Sequence, residues 1–207
     1  MTKRGIAMGL REKKKQQTRE MILNNSMELF TRKGVDEVGM RELAQVCGLG
    51  IGTYYNYFKS KEEVIFSLFA DILREALRRR PFDVTMDASP GDTLADNYQA
   101  LLGILSEHKN ILDEFLVVVQ SPKNYVTEES LGSKILPQMI LDYWEWVRPM
   151  LESIHANYEN EDTGHVARLM WGHFLSELNV LTSPLNRETA NDFNRFSSRH
   201  FLNGFHV

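Results

Sequence analysis

Apolar residues recur three and four positions apart along almost the whole of this 207-residue chain, and strand-like alternation is scarce. That spacing commits the chain to helices packed on helices. Ile22, Ser26, Leu29 and Phe30 make the inward stripe of a helix expected over about 16–33, and Gly34 follows as its left-handed cap. Short helices are expected over about 40–46 and 51–58. "SKEE" then supplies Ser60 as N-cap and Glu63 three places on, a capping box. The helix it opens carries Val64, Leu68, Ile72, Leu73, Ala76 and Leu77 and runs to about Arg79. Pro81 ends it, and "PFDVTMDASPGD" reads as a linker.

Helices continue beyond the linker. Leu94, Tyr98, Leu101, Leu102 and Leu105 form one stripe. "ILDEFLVVVQ" is apolar nearly all round from Phe115 on, which predicts a central buried helix. Pro122 breaks it and "PKNYVTEESLGS" reads as a polar loop. A long helix is expected over about 134–156, with Leu136, Met139, Ile140, Tyr143, Val147, Met150, Leu151 and Ile154 on one face and a kink at Pro149. Trp144 and Trp146 lie off that face, so at least one is expected to meet solvent, a partner or a cavity. Helices over about 164–181 and 188–203 close the chain. The predicted fold is all-α. A three-helix domain occupies 1–61 and a larger helical domain 62–207, with the helix over about 62–79 joining them.

Charge divides along the same line. Residues 1–61 hold 12 Lys and Arg against 6 acids, and residues 62–207 hold 12 against 22. A basic head on an acidic body points to a polyanionic partner for the head alone. Cys47 is the only cysteine, which excludes an internal disulfide and a multi-cysteine zinc site in one chain. It reads as a small turn filler rather than a redox sensor. No apolar run approaches the roughly 18–20 residues that span a bilayer, and no apolar h-region follows the basic N-terminus. A cytoplasmic protein without membrane attachment is expected.

The stretch "GMRELAQVCGLGIGTYYNYFKSKEE", Gly39 to Glu63, meets the needs of two helices joined by a tight turn. Leu43 and Leu49 flank the turn, Ala44 allows close approach, and Gly48 supplies the positive φ. Tyr54 and Phe58, four apart, share the buried face of the last helix. Thr53, Asn56 and Tyr57 then point away and Tyr55 lies on a flank, while Gly52 lets a phosphate or groove wall come near the backbone. Thr, Asn and Tyr side chains hydrogen-bond base edges and phosphate oxygens, and Lys59 and Lys61 follow at once. Clustered aromatics usually mean core, and Tyr54 reads that way. Tyr55 and Tyr57 read as DNA contacts, because a core more often takes Phe or Leu and a buried phenol needs a partner.

From Thr18 to about Val64 the chain resembles the tetracycline-repressor (TetR) family of bacterial transcription regulators, through "LF…KGVDEV", "MRELAQVCGL" and above all "GTYYNYFKSKEEV". The resemblance implies that Thr53, Tyr55, Tyr57 and Lys61 contact operator DNA, and that Arg41 reaches phosphate or base. Gly39 and Gly50 depart from the family pattern, which usually has Thr or Ser at the first position and Ser or Ala at the second. A hydroxyl contact and part of an N-cap are lost with them. The basic tail "TKRGIAMGLREKKKQQ" is expected to add backbone or minor-groove contacts.

A single recognition helix reads few base pairs, so a homodimer on a palindromic double-stranded operator is expected. Its interface is placed on the last two helices, at Val166, Met170, Phe174, Leu178, Phe193, Phe196 and Phe201. The interior is expected to bind a hydrophobic or aromatic small-molecule effector among Tyr98, Phe115, Tyr143, Trp144, Met150, Met170 and Trp171. Release from DNA, with repression as the default sign, would pass through the joining helix. Rival readings are a protein-only helical adaptor, which the basic head opposes, and a metal-dependent enzyme using His173 and Glu177. Without HExxH, a phosphate-binding glycine loop or GxSxG, no enzyme, cofactor or metal is expected.

Overall fold

The computed structural model describes residues 3–84, 88–120, 135–153, 163–182 and 187–203, and every regular element among them is helical. The chain forms two compact units, Met1–Phe69 and Ala70–Val207. The division falls within one helix, α4 (Lys61–Arg79).

The first unit comprises α1 (Lys3–Lys33), α2 (Met40–Val46), α3 (Ile51–Tyr55) and the opening of α4. Helix α1 starts well before the expected Gln16. Residues 9–17 are exposed all round, so no apolar period marks them, yet the run "LREKKKQQ" consists of strong helix formers. From Ile22 onward the expected stripe appears: Ile22, Ser26, Leu29 and Phe30 are buried, as are Leu43, Ala44, Tyr54, Phe58 and Val64 of the same unit. Gly34 ends α1 at φ 87°, and its N–H donates to the Phe30 carbonyl at 2.8 Å. The box that opens α4 closes differently from expectation. The Glu63 N–H donates to Ser60 Oγ at 3.3 Å, but the Glu63 carboxylate accepts from the N–H of Lys59 at 2.6 Å, one residue upstream of the cap.

The second unit holds the rest of α4, then α5 (Pro90–Leu105), a 3-10 turn (Ser106–His108), α6 (Lys109–Val119), α7 (Leu136–Ser153), α8 (Thr163–Thr182) and α9 (Arg187–Asn203). Helix α5 starts on a Ser89 cap, which accepts from the Asp92 N–H, with Pro90 in its first turn. It packs tightly on α9. A Cβ added to Gly91 would stand 2.5 Å from Cα of Arg199. Charge clasps the same contact: Asp92 accepts from Arg199 at 2.7 Å and from Arg195 at 3.3 Å, and Arg195 also binds Asp96. The chain leaving α4 is pinned as well. The Asn97 amide exchanges two hydrogen bonds with the backbone of Asp83, and Trp146 Nε1–H donates to the Arg80 carbonyl at 2.6 Å.

One expectation for this unit is corrected and one is narrowed. Helix α6 is not apolar-buried all round, since Val117 is 67% exposed beside buried Phe115, Leu116, Val118 and Val119. Of the surroundings expected for Trp144 or Trp146, solvent is excluded: both are buried, and the clamp on Arg80 and Phe82 covers the flank that carries Trp146. The Pro122 loop and Ile154 lie outside the described residues.

Candidate functional site

The turn between α2 and α3 is a Schellman closure. The Leu49 N–H donates to the Ala44 carbonyl and the Gly48 N–H to the Gln45 carbonyl, both at 3.0 Å, with Gly48 at φ 65°. This fixes where α3 emerges. Helix α3 is shorter than expected and ends at Tyr55. Its last turn tightens, with the Asn56 and Tyr57 N–H groups donating three residues back. Tyr54 and Phe58 remain one turn apart, both fully buried, their rings 6.1 Å apart. The Tyr54 hydroxyl reaches Ser26 Oγ at 3.4 Å, and burial raises its pKa to about 12.

With that face held inward, Gly52, Thr53, Tyr55 and Asn56 are exposed and Tyr57 is half-buried. Arg41 is exposed on α2. The two lysines already hold protein partners: Lys59 Nζ donates to the Tyr55 carbonyl at 2.6 Å and Lys61 Nζ to the Val35 carbonyl at 2.9 Å. Both sit at the junctions that set α3 against α4 and the α1–α2 turn. Sequence reasoning passed over Arg19. Its guanidinium lies 4.2 Å over the Phe58 ring, donates to Ser67 Oγ at 2.7 Å and reaches the Tyr57 carbonyl at 3.3 Å. Arg19 thus ties α1, the end of the recognition segment and α4 together. No residue spacing marks it; only its neighbours in space do. A groove of about 770 Å³ separates Arg11, Lys14 and Thr18 of α1 from Thr53, Asn56 and Tyr57. Cys47 is buried, and burial pushes its thiol up, with Asn25 offsetting part of the rise, so it is a poor thiolate.

In the second unit, Tyr98, Tyr143 and Trp171 come together around Phe174. Their rings lie 5.5, 4.8 and 5.6 Å from the Phe174 ring. Phe115, Trp144, Met150 and Met170 are buried in the same unit. Polar groups run through this aromatic core. Tyr98 and Tyr143 share a hydroxyl–hydroxyl bond of 2.5 Å, and Tyr98 reaches His173 Nδ1 at 3.3 Å. His173 Nε2 reaches Ser197 Oγ at 3.2 Å and lies 3.5 Å from Glu177. Burial lowers His173 to about 4 and raises Glu177 to about 7, with nearby Ser197 offsetting part of the latter. Burial also holds both phenols well above their ordinary range. Asn194, Ser197 and Ser198, polar residues on the inward side of α9, were the unread signal for this cluster.

Of the interface positions expected on α8, Val166, Met170, Phe174 and Leu178 are each at most 1% exposed within one protomer, where they pack into its own core. Among the described residues, the large apolar side chains that α8 and α9 expose are Leu169 (55%) and Phe196 (59%). Phe201 is half-buried, stacked on His173 at 4.2 Å, and the Phe193 side chain lies outside the described residues.

A buried-face helix, a tight glycine turn and an exposed polar face after it define a helix-turn-helix protein. The sequence profile of "Bacterial regulatory proteins, tetR family" matches residues 22–68. A fatty acid metabolism regulator protein of Bacillus subtilis is 27% identical over 100 residues, 47% of this chain and 48% of that protein. The chain spans about half the length of the first curated relatives it matches. A TetR transcriptional regulator from Rhodococcus sp. RHA1 superposes with a TM-score of 0.66 at 19% identity, covering 91% of this chain and 97% of that one. Thermus thermophilus FadR, a TetR-family repressor solved with lauroyl-CoA, gives 0.65 at 23% identity, covering 89% and 93%. Residues 22–68 match the helix-turn-helix segment of the tetR family of bacterial regulatory proteins, and the chain has the fold of TetR-family regulators.

Proposed function

We propose that this chain is a DNA-binding transcriptional regulator that works as a homodimer on a two-fold symmetric operator and answers to a small molecule held in its second unit. The observation that carries the reading is the α3 face. Thr53, Tyr55 and Asn56 are exposed and Tyr57 half-exposed, on a segment whose other side is locked by Tyr54, Phe58 and the Arg19 clasp. Rigid presentation of three hydrogen-bonding side chain types is what base and phosphate contacts need. Arg41 and the α1 basic residues flank the face and supply the salt-dependent part of the affinity. Lys59 and Lys61 act mainly by fixing the recognition segment, because their ammonium groups already bind carbonyls.

Exposed Leu169 and Phe196 support a second copy packing on α8 and α9. The aromatic core of the second unit and the acyl-CoA complex of FadR support a ligand-responsive role, with repression as the default sign. Against the metal-dependent alternative stands the burial of His173 and Glu177 in the core. Selecting bound sequences from a random DNA pool tests the proposal. A palindromic consensus with half-sites about one helical turn apart is expected. A pool that stays random overturns it.

A further inference from the structure

One carboxylate in the second unit is short of donors. Glu177 is fully buried, and neither oxygen makes a well-formed hydrogen bond among the described residues; the nearby Ser197 hydroxyl offsets only part of the cost of burying it. A lone buried carboxylate is among the costliest groups a core can hold. Among the described residues no cation is paired with it. His173, 3.5 Å away, is kept neutral by burial, and from α5 and α7 the nearby titratable groups are the phenols of Tyr98 and Tyr143. Helix α6 turns Phe115 and Val119 inward. On α9, Arg195 and Arg199 are committed to Asp92 and Asp96. Asn194 Nδ2 is likewise buried without a partner.

These two groups belong to one seam. His173 of α8 meets Ser197 of α9. In an antiparallel pair, one turn onward from His173 lies opposite one turn back from Ser197, which brings Glu177 and Asn194 to the same level. Turning the Asn194 amide by half a rotation keeps its 3.3 Å bond to Ser198, with the amide now donating, and presents Oδ1 to the seam. The seam then offers two carboxylate oxygens and one amide oxygen.

Resting on the reading of the second unit as ligand-responsive, the geometry points to Glu177 and Asn194 as the polar end of a site for a small molecule carrying a protonated primary amine on an apolar body. Three acceptors match the three N–H groups of a primary ammonium, and the carboxylate matches its charge. An alcohol brings one donor and no charge, and a carboxylate or phosphate would be repelled. Phe174, one turn before Glu177, and the Tyr98 and Tyr143 rings packed on it supply faces that favour a cation and hold the apolar body.

Calorimetric titration of the full chain without DNA, at pH 8, tests this with three probes: 2-phenylethylamine, 2-phenylethanol and the trimethylammonium analogue of the amine. The amine is expected to bind at least tenfold more tightly than both others. Glu177→Gln should erase that preference. Asn194→Ala, which keeps the charge, should weaken the amine several-fold and leave the alcohol unchanged. Circular dichroism checks the fold of each variant, and either variant alone suffices if the other is unfolded. Equal binding of amine and alcohol, equal binding of the quaternary analogue, no binding of any probe, or a preference that survives both substitutions overturns the proposal; in the third case buried water is what satisfies the seam. DNA is absent throughout, so each of these outcomes leaves the operator reading standing, and a failed operator selection leaves this titration valid.

Discussion

Substituting Glu177 changes how stability depends on pH, and its size follows from the buried pair. In the unfolded chain Glu177 titrates at its ordinary 4.5 and His173 at 6.5; in the fold burial moves them to about 7 and about 4. The carboxyl's contribution is present below 4.5 and is lost as pH rises to about 7. The loss is about 3 kcal/mol, from 1.36 kcal/mol per pH unit. His173 runs the other way: its contribution is present above 6.5 and is lost as pH falls to about 4, by a similar amount. Between 4.5 and 6.5 each state binds one proton, on the imidazole when unfolded and on the carboxyl when folded, so the two slopes cancel. Glu177→Gln removes one slope. The variant's stability minus that of the unmodified protein should rise by about 3 kcal/mol from pH 4.5 to 7.5. Urea unfolding followed by tryptophan fluorescence measures it cleanly, because all three tryptophans, Trp144, Trp146 and Trp171, lie in the second unit. A difference that stays constant over this range, or grows toward acid, refutes the reasoning: Glu177 would then ionise as freely in the fold as in water.

Three further outcomes are expected. Gly91→Ala should destabilise the second unit by about 1–3 kcal/mol, since its methyl meets the Arg199 backbone, and a urea midpoint within error of the unmodified protein would contradict that. Arg19→Ala should cost about 1–3 kcal/mol in the first unit through loss of the Ser67 bond and the Phe58 stacking; amide exchange at residues 54–58 should speed up if so. Tyr54→Phe loses only a long hydrogen bond to Ser26, so calorimetry should find about 1 kcal/mol or less, and a larger loss would mean the hydroxyl carries more than that contact.

The N-terminal motif was legible because each of its residues answers a local demand. Gly48 gives the positive φ, Ala44 closes the turn, and Tyr54 and Phe58 recur at one turn. The start of α1 was not legible from apolar spacing, because a helix exposed on every side has no stripe; composition alone marks it. In the second unit, spacing identified which residues of α8 are apolar but could not say what covers them. Val166, Met170, Phe174 and Leu178 face the protomer's own core, while Leu169 of α8 and Phe196 of α9 are exposed. His173 and Glu177 were visible as a pair one turn apart. The partners of His173, Tyr98 and Ser197, come from two other helices, and no local pattern joins them.

The central claim is that the α3 face meets DNA. The double substitution Tyr55→Ala, Tyr57→Ala tests it most directly, in a gel-shift titration against a sequence selected from the random pool, with thermal unfolding alongside. At about 1–3 kcal/mol for each lost contact, affinity should fall by ~30-fold or more while the melting temperature holds. Unchanged affinity, or a chain that unfolds, would place these tyrosines in the packing of the domain and contradict the account.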